Sequence, residues 1–234
     1  MNPLWLEVAG RANVTLSEAQ GNLLGKYLDL LIDANKRMNL TRIIDRESAE
    51  RLHIADALTL LPYLPPNPHR LVDVGSGGGV PGIPLAIARP DAIVLLIEST
   101  QKKAAFLKDV AEKLGLTNVA VSEWRAEEVA RSNSRESFDV ATARAVGAMD
   151  MLVEWCLPLV RVGGTMLAMK GEKVTAELTV SGKATKWVGG GKATVHPVEL
   201  PGADHHVIVE IPKIERTHNA YPRPASEAKG KAIR

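Results

Sequence analysis

A run of glycines directly after a buried strand constrains the fold of this chain more than any other feature. Residues 70–82 read RLVDVGSGGGVPG, in which four residues suited to a buried strand lead straight into the glycines. Glycine lets the backbone adopt positive φ and brings N–H groups close to a ligand. Pro81 and Pro84 lie where the first turn of a helix tolerates proline. The segment therefore predicts a strand, a tight turn and a helix start, and in parallel sheets ligands bind beyond the carboxyl ends of such strands.

Short apolar runs alternate with helical stretches from Arg70 onwards. This alternation predicts an α/β, Rossmann-like fold, a mostly parallel sheet with helices on both faces. The pattern weakens after Lys170, where residues 186–198 and 205–211 are predicted to add edge strands. The predicted strands are Leu71–Val74, Ile93–Ile97, Val119–Val121, Phe138–Thr142 and Thr165–Met169, and helices are predicted to begin near Val80, Gln101, Ala126 and Ala148.

Two helices are predicted ahead of the sheet. Ser17 and Gln20 form a capping box before an amphipathic helix that ends near Asn35. A second helix is predicted over residues 46–61, and the segment 62–69 carries four prolines and cannot continue it. The predicted organisation is a helical N-terminal unit (1–62), an α/β domain (63–212) and a C-terminal tail (213–234).

The composition indicates the class of protein and the compartment in which the chain works. Of its 234 residues, 45% are hydrophobic and 24% charged, as is usual in soluble globular proteins. No apolar run reaches the roughly 20 residues of a membrane helix, and the N-terminus lacks a signal-peptide pattern, so we expect a cytoplasmic protein. A single cysteine, Cys156, excludes an internal disulfide. From Lys213 to Arg234 there are six Lys or Arg and two Glu, which predicts either contact with a polyanion or a solvated terminus.

Two cofactor classes use a glycine turn of this kind. The segment Gly77–Gly82 formally matches the Gly-x-Gly-x-x-Gly fingerprint of dinucleotide sites. However, the first glycine after the strand is Gly75, and in that register the third glycine position is Val80. The carboxylate of Asp73 would repel a pyrophosphate, but it can accept hydrogen bonds, directly or through water, from an amino-acid ammonium group. These features favour S-adenosylmethionine, with a nicotinamide dinucleotide as the alternative.

Polar residues at the ends of the other predicted strands complete the candidate site. Glu98 ends the second strand, where a carboxylate can accept both hydroxyls of a ribose. Ala126 and Glu127 begin the next helix, where a backbone N–H and an acidic side chain commonly read an adenine edge. Arg144 and Lys170 follow the fourth and fifth strands and can bind phosphate, and Arg144 can also bind a carboxylate or a guanine edge. The charged residues among these can instead be ordinary charged residues at a strand or helix end.

Signatures of several other chemistries are missing. The sequence has no Asn-Pro-Pro-Tyr-like segment that grips an exocyclic amine, and no Pro-Cys nucleophile for attack on a pyrimidine. His53, His205 and His206 form no metal-ligand pattern, so no metal site is predicted. We interpret His53, within LHIADAL, as a helix-packing residue.

Seven segments together resemble one protein family. DVGSGGGVPGIPLAI (73–87) is similar to the hallmark of the glucose-inhibited division protein B (GidB) family, also called ribosomal RNA small subunit methyltransferase G. The other segments follow in the family's order: NKRMNLT (35–41), LHIADAL (52–58), KKAAFLKDVAEKLGLTNV (102–119), ARAV (143–146), LAMKG (167–171) and YPR (221–223). The sequence departs from the family pattern at Glu98 (usually aspartate), Ala57 and Ala143 (commonly serine) and Leu52 (arginine).

The resemblance implies a class I methyltransferase that moves a methyl group from S-adenosylmethionine to N7 of guanine 527, in the 530 loop of bacterial 16S rRNA, without a general base. It implies 16S rRNA, the 30S subunit or its assembly intermediate as the partner, and we expect a monomer. A small-molecule methyltransferase and an RNA-binding assembly protein without turnover are the alternatives. The predicted cofactor-binding residues are Asp73, Gly75, Gly77, Gly79, Val80, Glu98, Ala126, Glu127 and Arg144, and the predicted substrate-binding residues are Arg144, Lys170 and Arg223.

Overall fold

The computed structural model describes residues 1–228 and Ile233. Its helices are α1 (Pro3–Gly10), α2 (Glu18–Met38), α3 (Arg46–Ala49), α4 (Asp56–Leu58), α5 (Gly82–Ala88), α6 (Gln101–Lys113), α7 (Ala126–Val129), α8 (Met149–Cys156), α9 (Val174–Trp187) and α10 (Ala225–Ala228). A π-helical turn (Glu50–Ala55) joins α3 to α4, and 3-10 turns lie at Leu61–Tyr63 and Leu157–Leu159. The strands are β1 (Arg70–Val74), β2 (Ile93–Ile97), β3 (Val119–Ser122), β4 (Phe138–Arg144), β5 (Val160–Lys170), β6 (Thr194–Pro197) and β7 (Val207–Pro212).

The strands form one sheet in the order β3-β2-β1-β4-β5-β7-β6. β1 to β5 are parallel, β7 is antiparallel to β5, and β6 is antiparallel to β7. The strand order reverses at β1, where Val74 pairs with Ile97 on one side and with Ala143 on the other. Such a switch point leaves a crevice beyond the carboxyl ends of the strands. The predicted α/β, Rossmann-like, mostly parallel sheet is confirmed.

The end of the sheet differs from the sequence prediction. The first predicted edge strand (186–198) is reduced to β6, because residues up to Trp187 belong to α9. That helix was missed, since its sequence VTAELTVSGKATKW is rich in β-branched residues and contains glycine, all poor helix formers. The second prediction (205–211) is wrong in position, because β7 lies between β5 and β6 rather than at an edge.

Alternate residues of the strands face two separate hydrophobic cores. Leu71 and Val140 belong to a core that includes residues of α2, α5 and α6, whereas Val72 and Ala141 belong to a core with residues of α8 and α9. The helices before the sheet therefore pack on one of its faces and share a core with it.

The N-terminal helices follow the local sequence signals closely. The predicted capping box of α2 is confirmed: the Ser17 hydroxyl accepts the Gln20 N–H at 3.2 Å, and the Gln20 side chain accepts the Ser17 N–H at 2.9 Å. α2 ends at Met38, and the next residue, Asn39, has a left-handed φ of +51° that terminates the helix. No helix in residues 1–228 is long and apolar enough to cross a membrane.

Candidate functional site

A cavity of about 1170 Å³ opens at the switch point of the sheet. Its wall includes the glycine turn after β1, the loop after α2 and the start of α7. Seven of the nine predicted cofactor residues line it: Gly75, Gly77, Val80, Glu98, Ala126, Glu127 and Arg144. The other two, Asp73 and Gly79, lie behind the wall, and the wall does not include Lys170 or Arg223.

The glycine turn has a backbone that other residues adopt only with strain. Gly75, Gly77 and Gly79 have φ values of +71°, +56° and +97°. At Gly75 an added Cβ would lie 2.7 Å from a methyl group of Val146, which also lines the cavity. Glycine therefore allows the backbone conformation of the turn, and at Gly75 it also avoids a clash with Val146 beside the cavity.

Hydrogen bonds from two other elements fix this turn. The Gly75 N–H donates to the carbonyl of Ile97 in β2 at 2.9 Å. The Tyr27 hydroxyl, on α2, donates to the carbonyl of Gly78 at 2.8 Å. Tyr27 is fully buried, and burial raises the pKa of its hydroxyl, so it stays a donor. The N-terminal helix is thus part of the support of the turn.

Asp73 braces the turn from behind. Its carboxylate accepts the Gly82 N–H at 3.3 Å and the Thr142 hydroxyl at 3.1 Å, which joins β1 to β4 and to the start of α5. Burial raises the pKa of Asp73 to about 6. Gly79 also lies behind the wall, where an added Cβ would be 2.8 Å from Ile83. A contact of Asp73 with a methionine ammonium group stays a prediction.

Glu98 places a carboxylate on the wall at the end of β2. Glu98 is only 7% exposed. One oxygen accepts the Gly77 N–H at 3.0 Å and the other accepts the Thr100 N–H at 2.7 Å. Because each carboxylate oxygen has two lone pairs, both can accept a further hydrogen bond. The result is a fixed, desolvated acceptor of the kind that a ribose diol requires.

Ala126 and Glu127 line the wall at the first turn of α7. Glu127 is followed by a second acidic residue, Glu128, and the structure separates their roles. Glu127 is buried on the cavity wall, whereas Glu128 caps α7 by accepting the Arg125 N–H at 2.8 Å. The indole of Trp124 borders the same part of the cavity and is 59% exposed.

Arg144, the last residue of β4, is held by the helix before the sheet. Its Nη1 donates to the Leu52 carbonyl at 2.8 Å and lies 3.1 Å from Oδ2 of Asp56. Its Nη2 lies 3.3 Å from Nδ1 of His53. The Arg144 side chain is 19% exposed and lines the cavity, so its charge is both anchored and accessible to a ligand.

His53 is a cavity residue that the sequence interpretation missed. Its Nδ1 faces Arg144, and its Nε2 bonds the Thr41 hydroxyl at 3.0 Å. Burial, and then the charge of Arg144, lower the pKa of His53 to about 4, so the ring is neutral at pH 7. The Asn35 side chain fixes Thr41 through its backbone N–H and carbonyl, at 2.8 and 2.9 Å. The signal was present in the two N-terminal family segments, 35–41 and 52–58, which meet here.

The two predicted substrate residues outside the wall have partners in the fold. Lys170 donates to the Gly147 carbonyl at 2.9 Å and pairs with Glu177 at 2.7 Å. Arg223 pairs with Glu154 through Nε and Nη2, at 2.8 and 2.6 Å. Their contact with RNA stays a prediction.

The start of the predicted basic tail is packed against the domain. Nζ of Lys213 is buried and donates to the carbonyls of Leu157 and Val188, at 2.8 and 2.9 Å, with Glu136 at 3.4 Å. Burial lowers the pKa of Lys213 to about 8. Lys213 is thus an internal anchor. Three further basic residues of the tail lie outside the described residues: Lys229, Lys231 and Arg234.

The polar groups of the cavity suit an organic ligand. In residues 1–228 and at Ile233, no three His, Cys, Asp or Glu side chains are arranged to hold a metal ion. Cys156 is buried, and burial raises the pKa of its thiol. The wall instead offers the backbone of the glycine turn, the carboxylates of Glu98 and Glu127, and the guanidinium of Arg144.

Comparison with known proteins identifies the family. The model of the GidB family, rRNA small subunit methyltransferase G, matches residues 20–207. The chain belongs to the rRNA small subunit methyltransferase G family. A relative of that name from Leuconostoc citreum is 38% identical over 226 residues, 95% of each chain. Another, from Chloroflexus aggregans, is 42% identical over 221 residues, 94% of this chain and 93% of its own.

Solved methyltransferases share the fold at low identity. The CMeT domain of citrinin polyketide synthase has a TM-score of 0.53 at 13% identity, over 69% of this chain and 52% of that one. A variant of the 16S rRNA (adenine(1408)-N(1))-methyltransferase from Catenulisporales acidiphilia has a TM-score of 0.51 at 14% identity, over 65% of this chain and 88% of that one. These similarities support the fold, and the family membership identifies the chain as a methyltransferase.

Proposed function

We propose that this chain transfers a methyl group from S-adenosylmethionine to N7 of guanine 527, in the 530 loop of bacterial 16S rRNA. The observation that carries the proposal is that the residues matched by the family model, 20–207, include the entire wall of the cavity. The name of the relatives supplies the substrate class, the RNA of the small ribosomal subunit. The guanine and its N7 atom come from the resemblance of the glycine segment and the ordered motifs.

Several features of the cavity support S-adenosylmethionine as the cofactor. A Cβ added at Gly77 would meet nothing closer than 3.8 Å, so this part of the turn leaves room for a ligand against the backbone. Glu98 would hold the ribose, since its two oxygens are fixed and desolvated. Ala126 and Glu127 would hold the adenine, and the turn with Arg144 would face the methionine group.

The chemistry asks the protein for positioning rather than proton transfer. S-adenosylmethionine, when bound, supplies an electrophilic methyl group on its sulfonium. Guanine N7 has an in-plane lone pair, so the protein removes no proton before the attack. The wall agrees with this requirement, because both ring nitrogens of His53 are engaged, by Arg144 and by Thr41. Holding the two reacting atoms in line can lower the barrier by several kcal/mol.

Cationic residues beside the cavity support an RNA substrate. Arg42, Lys103 and Arg125 line it, and such side chains bind phosphate oxygens. With aromatic residues at 4% of the chain, recognition relies on RNA shape and phosphate contacts more than on base stacking. The proposed partner is 16S rRNA, in the 30S subunit or an assembly intermediate in the cytoplasm, bound by a monomer. The helical unit 1–62 and the tail 213–234 would flank the α/β domain 63–212.

Mapping of N7-methylguanosine in 16S rRNA tests the proposal. Borohydride–aniline treatment cleaves RNA at N7-methylguanosine, so we expect cleavage at guanine 527 in cells that carry the gene. The cleavage should disappear when the gene is deleted and return when it is restored. A signal at guanine 527 that deletion leaves unchanged would overturn the proposal.

A further inference from the structure

Three groups from one turn of helix contact the guanidinium of Arg144, and we call this set of contacts the grip. The Leu52 carbonyl, Nδ1 of His53 and the Asp56 carboxylate all come from that turn, at 2.8, 3.3 and 3.1 Å from the guanidinium nitrogens. Arg144 itself belongs to β4, about 90 residues further along the chain. The grip therefore depends on how the N-terminal helices pack against the sheet.

Asp56 is the charged member of the grip, and it does not line the cavity. Its side chain is 1% exposed, and its two oxygens have different partners. Oδ2 faces Arg144, and Oδ1 accepts a hydrogen bond from Nδ1 of His206 at 3.0 Å. Removing one partner of an ion pair buried this deeply is costly, because it leaves the other charge uncompensated. Asp56 thus ties Arg144 to the segment that leads into β7.

The local backbone conformation helps to explain how three groups so close in the chain contact the same guanidinium. Residues 50–55 form a π-helical turn, in which the Asp56 N–H donates to the carbonyls of Arg51 and His53. Turns of this type widen a helix and are frequent at functional sites. Here the π-helical turn carries Leu52 and His53 to Arg144, and Asp56 follows directly as the first residue of α4.

We propose that Asp56 is a positioning residue, which fixes the Arg144 guanidinium at the cavity wall and couples it to the chain before β7 through His206. Asp56 touches no ligand in this scheme and acts only through Arg144. Nη1 of Arg144 contacts Leu52 and Asp56, and Nη2 contacts His53, while the residue as a whole lines the cavity. The inference deepens the proposed function, on which its activity measurements rest.

Asp56→Asn is the decisive variant, because it keeps the shape of the side chain and removes its charge. We expect the single-turnover rate of RNA methylation at saturating S-adenosylmethionine to fall about tenfold or more, since small misplacements of a positioning group have effects of that size. The dissociation constant of S-adenosylhomocysteine, measured by calorimetry, should rise no more than it does in Arg144→Gln, because Gly75, Glu98 and Glu127 remain in place and only the part of the wall at Arg144 is disturbed. His206→Gln should lower the rate less than Asp56→Asn does.

A double-mutant cycle separates positioning from general loss of structure. If Asp56 acts only through Arg144, the variant carrying both Asp56→Asn and Arg144→Gln should be no slower than Arg144→Gln alone. The control is Asp139→Asn, another carboxylate paired with an arginine (Arg161 at 2.8 Å), which borders a separate, smaller cavity. It should keep the wild-type rate. Additive losses in the cycle, or a wild-type rate for Asp56→Asn, would overturn the proposal.

A measurement without RNA distinguishes failure of this proposal from failure of the proposed function. The side-chain ¹⁵N–¹H signals of Arg144, assigned with Arg144→Gln, should be protected from exchange in the wild type and lose protection in Asp56→Asn. Unchanged protection contradicts the positioning role even if the protein methylates RNA. If wild-type protein methylates no 16S rRNA while Arg144 loses protection in Asp56→Asn, the proposed substrate fails and the grip on Arg144 stands.

Discussion

His53 and His206 lie on opposite sides of the ion pair between Arg144 and Asp56, and their electrostatic surroundings differ in sign. His53 is buried against the cation, and burial followed by the charge of Arg144 lowers its pKa to about 4. His206 donates to the carboxylate, and this hydrogen bond raises its pKa. At the scale of single residues, the site therefore contains one histidine that resists protonation and one that favours it.

The two histidines should titrate apart in an NMR experiment that follows the ring nitrogens. An unfolded histidine titrates near 6.5. Between pH 6.5 and about 4 only the unfolded chain protonates His53, so this residue lowers the free energy of unfolding as the pH falls. His206 stabilises the fold below pH 6.5, and this contribution is lost as the pH rises through its raised pKa. His53→Gln and His206→Gln assign the signals, and a His53 signal that titrates near 6.5 would contradict the burial.

Replacement of Glu98 tests the cofactor wall. In Glu98→Gln one acceptor oxygen becomes an NH2 group, which cannot accept the N–H of Gly77 or Thr100. We expect the affinity for S-adenosylhomocysteine, measured by calorimetry, to fall about tenfold or more, the effect of losing one charged hydrogen bond. Glu128→Gln is the matched control, because Glu128 caps α7 and lies outside the wall, and it should bind as the wild type does. Equal affinities would remove Glu98 from the site.

At the scale of elements, the strand, the turn and the helix after it act as one unit, and the turn is its most constrained part. Gly75 and Gly115 both have left-handed φ values, +71° and +65°. They differ in their surroundings: a Cβ at Gly75 would be 2.7 and 2.9 Å from the methyl groups of Val146, and a Cβ at Gly115 would meet nothing within 4 Å. The two positions therefore separate the cost of backbone strain from the cost of a clash.

Alanine at these two glycines should destabilise the protein by different amounts. Gly115→Ala carries only the strain of a left-handed residue, roughly 1 kcal/mol. Gly75→Ala adds the clash with Val146, so we expect a loss of about 2 kcal/mol or more in urea unfolding. It should also weaken binding of S-adenosylhomocysteine, whereas Gly115→Ala should not. Equal losses of stability would mean that Val146 moves aside freely.

At the scale of the whole molecule, the chain after β7 returns over the sheet face that carries α8 and α9. Arg135 secures this segment by donating to the carbonyls of Thr217 and Tyr221, at 3.0 and 2.8 Å. Arg131 adds a hydrogen bond to the Pro222 carbonyl at 2.9 Å. Much of the predicted tail is thus part of the packed domain.

Loss of the Arg135 side chain should release this segment. Arg135→Ala leaves several carbonyls without a charged donor, so we expect a loss of about 2–4 kcal/mol in urea unfolding. Limited proteolysis should cut first between residues 213 and 228. Arg161→Ala is the control, because its pair with Asp139 is half exposed and contributes less than about 1 kcal/mol. Cleavage that begins elsewhere in Arg135→Ala would argue against this anchor.

Sequence patterns predicted the features that short-range physics controls. The capping box at Ser17, β2 at its observed bounds and the left-handed glycines all depend on residues close together in the chain. The rule that ligands bind at the carboxyl ends of parallel strands also predicted, from the sequence, that Glu98, Glu127 and Arg144 lie at one edge of the sheet. The position of β7 in the sheet was not predicted, because an apolar run of this length does not reveal which strands it pairs with.

The sequence alone therefore determined the alternation of strands and helices, the glycine turn and the strand ends from which the cavity is built, since each depends on residues close together in the chain. Only the tertiary structure decided how those parts are supported. It placed Asp73 behind the turn and Lys213 in the interior. It also placed Asp56 between Arg144 and His206, and His206 is 150 positions from Asp56 in the chain. Such contacts depend on how entire helices pack against the sheet, and no local pattern of residues encodes that packing.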